Sequence, residues 1–568
     1  MLGALLAITV PFAAAVASVR YSIGVDVGTG SARAGIIDVS TGEILAVKKE
    51  AIRTWSPLPE FHQQSSDDIW LACVTCVRGA LAEAGVSPSD CVGLGFDATC
   101  SLVCLDADNK GVSTDPTAPN DDARNIILWM DHRANEQAAT INERGHERLA
   151  TVGGTISPEM EVPKMAWLRE HMPTAFEKIN GGGKFLDLAD FLSYRSTDYK
   201  YDVRSLCTVV CKWAYDANAE GTGQGWDRGF LGEVGFAEDE LLPDAIGTDV
   251  RTPGEAVPGG LGATAAAELG LPAGTPLAVG MIDAHAGGIG CLGATLPGNP
   301  SLTSRMALIA GTSTCHMAST TDAKFVPGVW GPYYSAMLPG IYLNEGGQSA
   351  AGALLDHVIG THPAHEELEA LAAAKGVPPS IYLNGRVAEL AAERGERVAT
   401  LAAGLHVTPD FVGNRSPLAD PLMRGSIIGL GMSATLDDLA LLYLATMQAL
   451  AYQTKAIIDA LDYDPPITAV VACGGLSKNE LFLSTNADVL GLPIHTPKQD
   501  EAVLLGAGIL GATAGGAHVS VEEAMAAMSA VGSTVQPQAG DAPYHEKKYA
   551  VFRRMNDDQI AYRQMMEA

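Results

Sequence analysis

One stretch decides how this chain folds: residues 24–31, with the sequence GVDVGTGS, followed by Arg33. Upstream of the glycines, apolar residues alternate with small or polar ones over 21–27, which predicts a strand. Extended patterning resumes after the glycines and ends at the turn residues 40–43. The glycines therefore lie in a tight corner between two strands. A dinucleotide fingerprint and a P-loop both open a helix directly after their glycines, so the pattern excludes both.

A corner of this kind suits a phosphate group. Glycines such as Gly28 and Gly30 let backbone N–H groups approach phosphate oxygens without a Cβ in the way. Hydroxyl and guanidinium groups add further donors, and a carboxylate can hold a hydrated Mg2+. An ordinary glycine-rich hairpin is the alternative interpretation. The candidate phosphate-binding residues are Gly28, Thr29, Ser31 and Arg33, and the candidate metal ligand is Asp26.

A second corner of the same type lies far downstream. Residues 308–314, LIAGTST, again run from an apolar strand into a glycine and consecutive hydroxyl residues, with Gly311 and Thr312 as candidate phosphate contacts. A later strand, 469–473, runs into Gly474 and Gly475, where the backbone can approach a flat adenine and its ribose. Two phosphate corners in opposite halves of the chain predict a nucleotide clamped between two related domains.

Composition narrows the classes of partner. The 568 residues carry 66 acidic and 37 basic side chains, a formal net charge of −29 at pH 7. This excess of negative charge argues against nucleic acid or an anionic membrane as a partner. Apolar residues make up 47% and charged residues 18%, which is typical of a globular protein with several domains. Any phosphate site must therefore be made positive locally, by Mg2+, Arg, Lys and backbone amides.

The ten cysteines show no zinc-binding spacing. Cys73 and Cys76 lie in a helical stretch without a second pair, which favours a buried structural role over a metal site. Cys207 and Cys211 are interpreted in the same way, as small apolar residues. Reduced thiols are typical of a cytoplasmic enzyme, and we expect that location.

The N-terminal residues 1–19 are apolar and uncharged. They are similar to the apolar core of a signal peptide, but no basic segment precedes them and Pro11 interrupts them. Two interpretations stay open, a targeting segment and a short tail or mis-assigned start. No later stretch is long and apolar enough to span a bilayer.

Taken together, these motifs resemble the FGGY family of carbohydrate kinases, which belongs to the sugar-kinase/Hsp70/actin superfamily of ATP-clamping folds. The likeness runs from about Tyr21 to about Gly515 and is closest in type to the pentulose kinases of the ribulokinase kind. It implies an α/β fold of two actin-like, ribonuclease-H-like domains with a cleft between them. The implied division is an apolar tail over 1–20, a sugar-binding domain over 21–290 and an ATP-binding domain over 291–568.

The resemblance also implies the catalytic residue. An apolar strand over 278–282 delivers Asp283 into a turn, and the family match makes Asp283 both the general base and a substrate contact. A carboxylate at this point can take the proton of an attacking hydroxyl during phosphoryl transfer. The alternative is an N-cap, since Asp283 precedes a predicted helix. His285 either tunes Asp283 or simply packs.

Four further contacts follow from the same resemblance. Ala98, at the end of the buried strand 91–96, matches a substrate contact made by the backbone, and Asn479 matches a contact to the nucleotide. Lys212 and Glu345 match residues that bind the ketose and its hydroxyls in ribulokinase-type members. A lone lysine lying along apolar surface is the alternative for Lys212.

Other segments match the family without a firm role. The segment 129–133 matches a W-x-D-x-R pattern at the sugar cleft, where an Asp–His–Arg cluster is expected to be functional. Lys164 lies in a departure from the first family signature, and a solvated lysine at a helix start is one interpretation. Residues 360–405 have the pattern of a helical insertion, either lid-like or on the surface, that contributes no residue to the chemistry. The loop 411–417 receives no catalytic role.

The expected function is ATP-dependent and Mg2+-dependent phosphorylation of a pentulose, with D-ribulose converted to D-ribulose 5-phosphate. The alternatives are an L-ribulose, ribitol or xylulose kinase of the same family, and a non-catalytic actin-like ATP-binding protein. The expected partners are a small sugar and ATP, without nucleic acid or membrane, and a homodimer stays open.

Overall fold

The computed structural model describes residues 20–218, 225–237, 240–241 and 243–567. The apolar stretch 1–19, with its two interpretations, lies outside the described residues. Among the helices of the described part, none is both long and apolar enough to cross a membrane.

The central strands of the two main sheets are buried along nearly their whole length, which is typical of sheets covered on both faces. The strands are β1 (Tyr21–Val27), β2 (Ser31–Asp38), β3 (Ile44–Ala51), β4 (Gln63–Gln64), β5 (Cys91–Ala98), β6 (Leu102–Leu105), β7 (Ile126–Ile127), β8 (Lys184–Asp187), β9 (Val203–Ser205), β10 (Asp249–Arg251), β11 (Met281–Ile282), β12 (Arg305–Ala310), β13 (Thr314–Thr320), β14 (Trp330–Tyr334), β15 (Tyr342–Gln348), β16 (His406–Thr408), β17 (Ser426–Ile428), β18 (Ala469–Cys473), β19 (Ile494–Pro497) and β20 (Val531–Val535).

The helices cover these sheets, and a long internal one, over 436–461, begins at a capping box made by Thr435 and Asp438. They are α1 (Ser66–Ala84), α2 (Asn135–Arg144), α3 (Glu161–His171), α4 (Pro173–Asn180), α5 (Leu188–Ser196), α6 (Leu206–Lys212), α7 (Arg228–Val234), α8 (Pro243–Ile246), α9 (Ala263–Leu269), α10 (Asp283–Leu292), α11 (Gly352–Thr361), α12 (His365–Lys375), α13 (Pro379–Arg394), α14 (Leu436–Leu461), α15 (Glu480–Leu490), α16 (Ala502–Ala514), α17 (Val521–Met528) and α18 (Ala542–Glu567).

The first main sheet has the strand order β3-β2-β1-β5-β11. β1 pairs antiparallel with β2, and β2 with β3, whereas β5 and β11 run parallel to β1. The carboxyl ends of β1, β5 and β11 therefore lie at one edge, together with the turn between β1 and β2. This is the edge at which sheets of this kind bind ligands.

The second main sheet repeats this pattern. Its order is β14-β15-β13-β12-β18-β19-β20, and the five strands from β15 to β19 show two antiparallel pairings followed by two parallel ones. The turn between β12 and β13 therefore corresponds to the turn between β1 and β2. This repetition confirms the predicted α/β fold of two ribonuclease-H-like domains, while the domain boundary at 290/291 stays a prediction.

Two equivalent helices, α10 and α16, connect the repeats. α10 follows β11 of the first sheet and contacts β12 of the second, whereas α16 follows β19 of the second sheet and packs on β1 and β5 of the first. The two helices also pack on each other at very short range. A Cβ at Gly290 would overlap the Ala502 carbonyl, and one at Gly506 would overlap the Ala286 carbonyl. Glycine is therefore required where the helices cross.

We expect Gly506→Ala to destabilise the protein by about 1–3 kcal/mol, because the added methyl group forces two helix backbones apart. The measurement is equilibrium urea unfolding. Gly385→Ala is the matched control, since Gly385 is also in a helix but has no atom within 4 Å of a built Cβ. The control should gain about 0.5–1 kcal/mol from helix propensity. Equal stability of the two variants would contradict the close crossing.

Candidate active site

The first predicted corner is the turn between β1 and β2. The Gly28 N–H donates to the Ser31 carbonyl at 3.1 Å, which closes the turn. A Cβ at Gly30 would meet no atom within 4 Å, so the backbone here faces open space. The Trp129 indole donates to the Thr29 hydroxyl at 3.0 Å and fixes that side chain. The corner is thus held from behind while its backbone is open to a ligand.

Carboxylates converge next to this corner. Asp26 of β1 is the register partner of Asp97 of β5, and Asp283 follows β11, the next strand of the sheet. The Arg33 guanidinium lies 3.2 Å from Asp26 and 3.3 Å from Glu501. Burial raises the pKa of Asp26 to about 6, with Arg33 opposing the shift and Asp283 adding to it. One arginine therefore balances several acidic groups.

Asp97, near the end of β5, belongs to this set. Its side chain is fully buried, and neither carboxylate oxygen has a hydrogen-bond partner among the described residues. Burial, together with the charges of Asp26 and Asp283, raises its pKa well above the usual range. Hard oxygen donors are the ligands that Mg2+ prefers. The unpartnered oxygens of Asp97 beside Asp26 fit such an ion.

Asp283 stands at the start of α10. The helix begins at Asp283 itself, with Ile282 rather than Asp283 in the N-cap position, so the N-cap alternative is not observed. Its carboxylate accepts the Ala284 N–H at 2.7 Å and is half-buried. Burial raises the pKa of Asp283, while the Ala284 N–H and the charges of His285 and Lys212 oppose that shift. A carboxylate in this setting has an affinity for protons suited to a base.

A second cluster surrounds Trp330. The Lys212 ammonium lies 4.5 Å from the centre of the Trp330 ring and the Arg415 guanidinium carbon 4.3 Å from it. Glu345, the register partner of Trp330, accepts a hydrogen bond from Arg415 at 2.5 Å. Lys212 comes from the first half of the chain, and Glu345 and Arg415 from the second. The predicted sugar residues Lys212 and Glu345 are therefore brought together.

The charges of this cluster compensate one another. Burial alone would raise the pKa of Glu345, but the charges of Lys212, Arg415 and His285 lower it, so Glu345 is ionised. Burial would lower the pKa of Lys212, but neighbouring acidic groups, Glu345 among them, raise it. Lys212 is thus a buried cation on an aromatic face, a stronger feature than a lysine stem lying along apolar surface. Its charge also acts on Asp283, which lies between the two clusters.

Ala98 occupies the end of β5. It is fully buried, and its register partner on β11 is Ile282, the residue before Asp283. Its backbone therefore lies beside the carboxylate, as a substrate contact by the backbone requires.

The second predicted corner opens onto a cavity. The Gly311 N–H donates to Ser313 at 2.9 Å, and α11 begins against the Gly311 carbonyl. The cavity has a volume of about 500 Å3, which is within the range of small-molecule sites. Its lining includes Gly311, Thr312, Gly475, Asn479, and Pro378, Ser380 and Ile381 at the start of α13. The insertion predicted to carry no chemistry thus forms one wall.

Gly474 directly precedes the cavity-lining Gly475, and Asn479 lines the cavity itself. Gly474 has φ of 91°, and a Cβ there would lie 2.5 Å from the Ala310 carbonyl, so only glycine fits between β18 and the second corner. The Asn479 side chain accepts the Leu481 N–H at 3.0 Å as the cap of α15 and donates to the Tyr443 hydroxyl at 2.9 Å. Asn479 lines the cavity, and its amide joins α15 to α14 through Tyr443 and to α13 through Asn384, whose amide donates to Asn479 at 2.9 Å.

The two corners are linked through α10. Gly287, one turn after Asp283, packs against Ile309 of β12, directly before the second corner. The predicted base therefore lies on the helix that runs from the first corner to the second.

Two other segments are placed as follows. Asp131 and Arg133 are buried and paired with each other at 2.6 Å. His132 lies 3.9 Å from Glu159, whose carboxylate interacts electrostatically with Arg415 and Lys212, and a functional role for the Asp–His–Arg cluster stays a prediction. Lys164 is not solvated, because its side chain is fully buried and lies 3.3 Å from Glu161. Of the pattern at 129–133, Trp129 alone reaches the first corner.

Two repeats of a ribonuclease-H-like sheet, each with a glycine corner between an antiparallel pair of its strands, define an actin-like fold. The sequence pattern of the N-terminal domain of the FGGY family of carbohydrate kinases matches residues 21–290, and that of its C-terminal domain matches 306–515. The chain belongs to this family. It is a sugar kinase that acts on a sugar and ATP, as the resemblance implies.

Individual relatives agree with this assignment. An FGGY carbohydrate kinase domain-containing protein of Xenopus laevis is 46% identical over 555 residues, covering 96% of this chain and 98% of its own length. A Saccharomyces cerevisiae protein named as a D-ribulokinase is 40% identical over 521 residues, covering 87% of this chain and 72% of its own. A ligand-bound xylulose kinase of Lactobacillus acidophilus superposes with a TM-score of 0.77 at 18% identity, over 95% of this chain and 99% of that one.

Replacing Arg415 by Met should destabilise the protein by roughly 2 kcal/mol or more, because it leaves the buried Glu345 carboxylate without its closest cation. Urea unfolding measures the change. Lys478→Met is the matched control, since its ion pair with Asp500 is exposed and such pairs contribute less than about 1 kcal/mol. If Arg415→Met lowers the free energy of unfolding by no more than the control does, the buried Arg415–Glu345 pair does not stabilise the protein by this amount.

Proposed function

We propose that this chain transfers the γ-phosphoryl group of ATP to the terminal hydroxyl of a pentulose, with D-ribulose as the favoured substrate and D-ribulose 5-phosphate as the product. One observation carries the proposal. Asp283 interacts electrostatically both with Asp26 at the phosphate corner and with Lys212 and Glu345 of the second cluster. A base between a phosphate site and a sugar site is the arrangement that phosphoryl transfer to a hydroxyl requires.

Asp283 acts as the general base in this mechanism. The attacking hydroxyl of the sugar donates its hydrogen bond to the free carboxylate oxygen and transfers its proton as the new P–O bond forms. The Ala284 N–H, which donates to Asp283 Oδ1, fixes the orientation of the carboxylate. The backbone at Ala98, beside Asp283, keeps the sugar chain in line with the phosphorus atom.

The corners stabilise the phosphate groups. The N–H groups of Gly28 and Gly311 close the two turns. The donors are the other backbone amides of these turns, the hydroxyls of Thr29, Ser31 and Thr312, and the Arg33 guanidinium. Asp26, with Asp97 beside it, would hold Mg2+, which when bound spreads the negative charge of the moving phosphoryl group. The adenosine occupies the cavity of about 500 Å3, over Gly474 and Gly475 and beside Asn479.

The sugar site draws on both halves of the chain. Lys212 and Glu345 bind the carbonyl and hydroxyl groups of the ketose, and Arg415 keeps the Glu345 carboxylate ionised and oriented. We also propose the division into a sugar-binding domain over 21–290 and an ATP-binding domain over 291–568. The preference for D-ribulose rests on the relative named as a D-ribulokinase, and other pentuloses and pentitols are the competing substrates.

Replacing Asp283 by Asn should lower kcat by at least about a hundredfold, because the amide cannot accept the hydroxyl proton. ATP binding, measured by calorimetry, should change by less than about threefold because the adenosine cavity is untouched. Asp108→Asn, at an exposed carboxylate, serves as the control and should keep wild-type turnover. Near-normal kcat in the Asp283 variant would remove this mechanism.

Lys212→Met should raise KM for the pentulose by about 10-fold to 100-fold, the value of a lost charge-assisted hydrogen bond, while KM for ATP stays within about twofold. The assay is coupled ADP release across D- and L-pentuloses, pentitols and glycerol, with D-ribulose expected to give the highest kcat/KM. If ATP is hydrolysed at the same rate with and without sugar, the result would instead favour an actin-like ATPase that phosphorylates no sugar.

A further inference from the structure

Directly behind the sugar cluster lies a group of soft donor atoms that the phosphoryl-transfer mechanism does not use. Cys207 and Cys211 are one turn apart on α6, and His285 reaches them from α10. The two sulfur atoms and a ring nitrogen of His285 all lie within 4.8 Å of one another, and all three residues are buried. From sequence alone both cysteines are interpreted as small apolar residues, because His285 is distant from them along the chain.

The spacing fits a tetrahedral thiophilic ion. Zn–S and Zn–N bonds of about 2.3 Å and 2.05 Å place a sulfur and a nitrogen ligand about 3.6 Å apart. The Cys211 sulfur lies 3.7 Å from His285 Nε2. Two thiolates and one imidazole are a common donor set for zinc with an open fourth position.

A fourth ligand faces the group. Glu345 Oε2 lies 3.9 Å from His285 Nε2, against about 3.4 Å for two ligands of one zinc ion. This oxygen is buried and has no hydrogen-bond partner within the described ranges, because Arg415 binds the other oxygen, Oε1. A buried, unpartnered carboxylate oxygen is the kind of group that a cation would satisfy.

We propose that Cys207, Cys211, His285 and Glu345 form an inhibitory site for a thiophilic divalent cation such as Zn2+. On binding, the two cysteines and the imidazolium of His285 release their protons to solvent, and the neutral imidazole then coordinates through Nε2. Glu345 then turns from the sugar to the ion, so the ion and the pentulose compete. This competition rests on the proposed role of Glu345 in sugar binding, whereas the metal site itself does not.

Cobalt substitution tests the site without reference to activity. Co2+ added to the full chain, in a buffer with a non-thiol reductant, should give a sulfur-to-cobalt charge-transfer band and the intense visible bands of a tetrahedral ion. Equilibrium dialysis should show one ion displaced by Zn2+. Cys207→Ser and Cys211→Ser should lose the band and weaken binding by at least roughly tenfold. Cys91→Ser, at a buried cysteine at the opposite end of β5 from Asp97, should retain both.

Kinetics tests the competition. Zn2+ should inhibit the wild type, D-ribulose should raise the concentration needed for half-inhibition, and Cys211→Ser should keep its turnover while becoming at least about tenfold less sensitive. Two results would overturn the site. One is the absence of the sulfur-to-cobalt band in the wild-type protein. The other is an undiminished band in the variant that carries both Cys207→Ser and Cys211→Ser. Should a serine variant fail to fold by circular dichroism, the alanine variants and the wild-type spectrum decide. A cobalt band in a chain that phosphorylates no sugar would leave the site standing and remove the proposed function.

Discussion

The close crossing of α10 and α16 is the contact on which the remaining structure depends. The two helices follow equivalent strands of the two repeats, and the missing Cβ atoms of Gly290 and Gly506 let their backbones touch. Because each helix packs on the sheet of the other repeat, the crossing fixes how the two carboxyl edges face each other. Each helix also begins at the gap: α10 starts at Asp283, and Glu501 stands directly before α16 and within 3.3 Å of Arg33. The crossing that joins the two repeats therefore also positions Asp283 and Glu501.

The electrostatics of the gap follow from this arrangement. The edge of the first sheet collects Asp26, Asp97 and Asp283 around one arginine, in a chain whose formal charge is already −29. Such a site repels the phosphates of ATP unless a cation accompanies them. The oxygens of Asp97 have no hydrogen-bond partner among the described residues, and burial, with Asp283 adding to it, raises the pKa of Asp26. A Mg2+ ion at the proposed site would balance these carboxylates.

Much of this architecture could be predicted from local sequence. The corner over 24–31, its counterpart over 308–314 and the strand over 469–473 depend on short-range pattern, and all three are found between or within the predicted strands. Other features depend on residues far apart in sequence. Arg415 meets Glu345 across 70 positions, so the 411–417 loop received no role, and α13 forms a cavity wall that its helical pattern does not reveal. A solvated Lys164 is one interpretation of the sequence, because a charged residue at a helix start is usually solvated. In the structure Lys164 is buried beside Glu161.

The placement of Trp330 connects substrate recognition to the relation between the two halves. Lys212 of the first half and Arg415 of the second contact the same ring, and Glu345, in register with that ring, is held by both charges. A ketose bound to Lys212 and Glu345 would therefore bind to both halves at once. Movement of one half relative to the other would separate Lys212 from Glu345 and shift Asp283, in the first half, relative to the second corner. Sugar binding and assembly of the catalytic geometry are then one event, which disfavours transfer of the phosphoryl group to water.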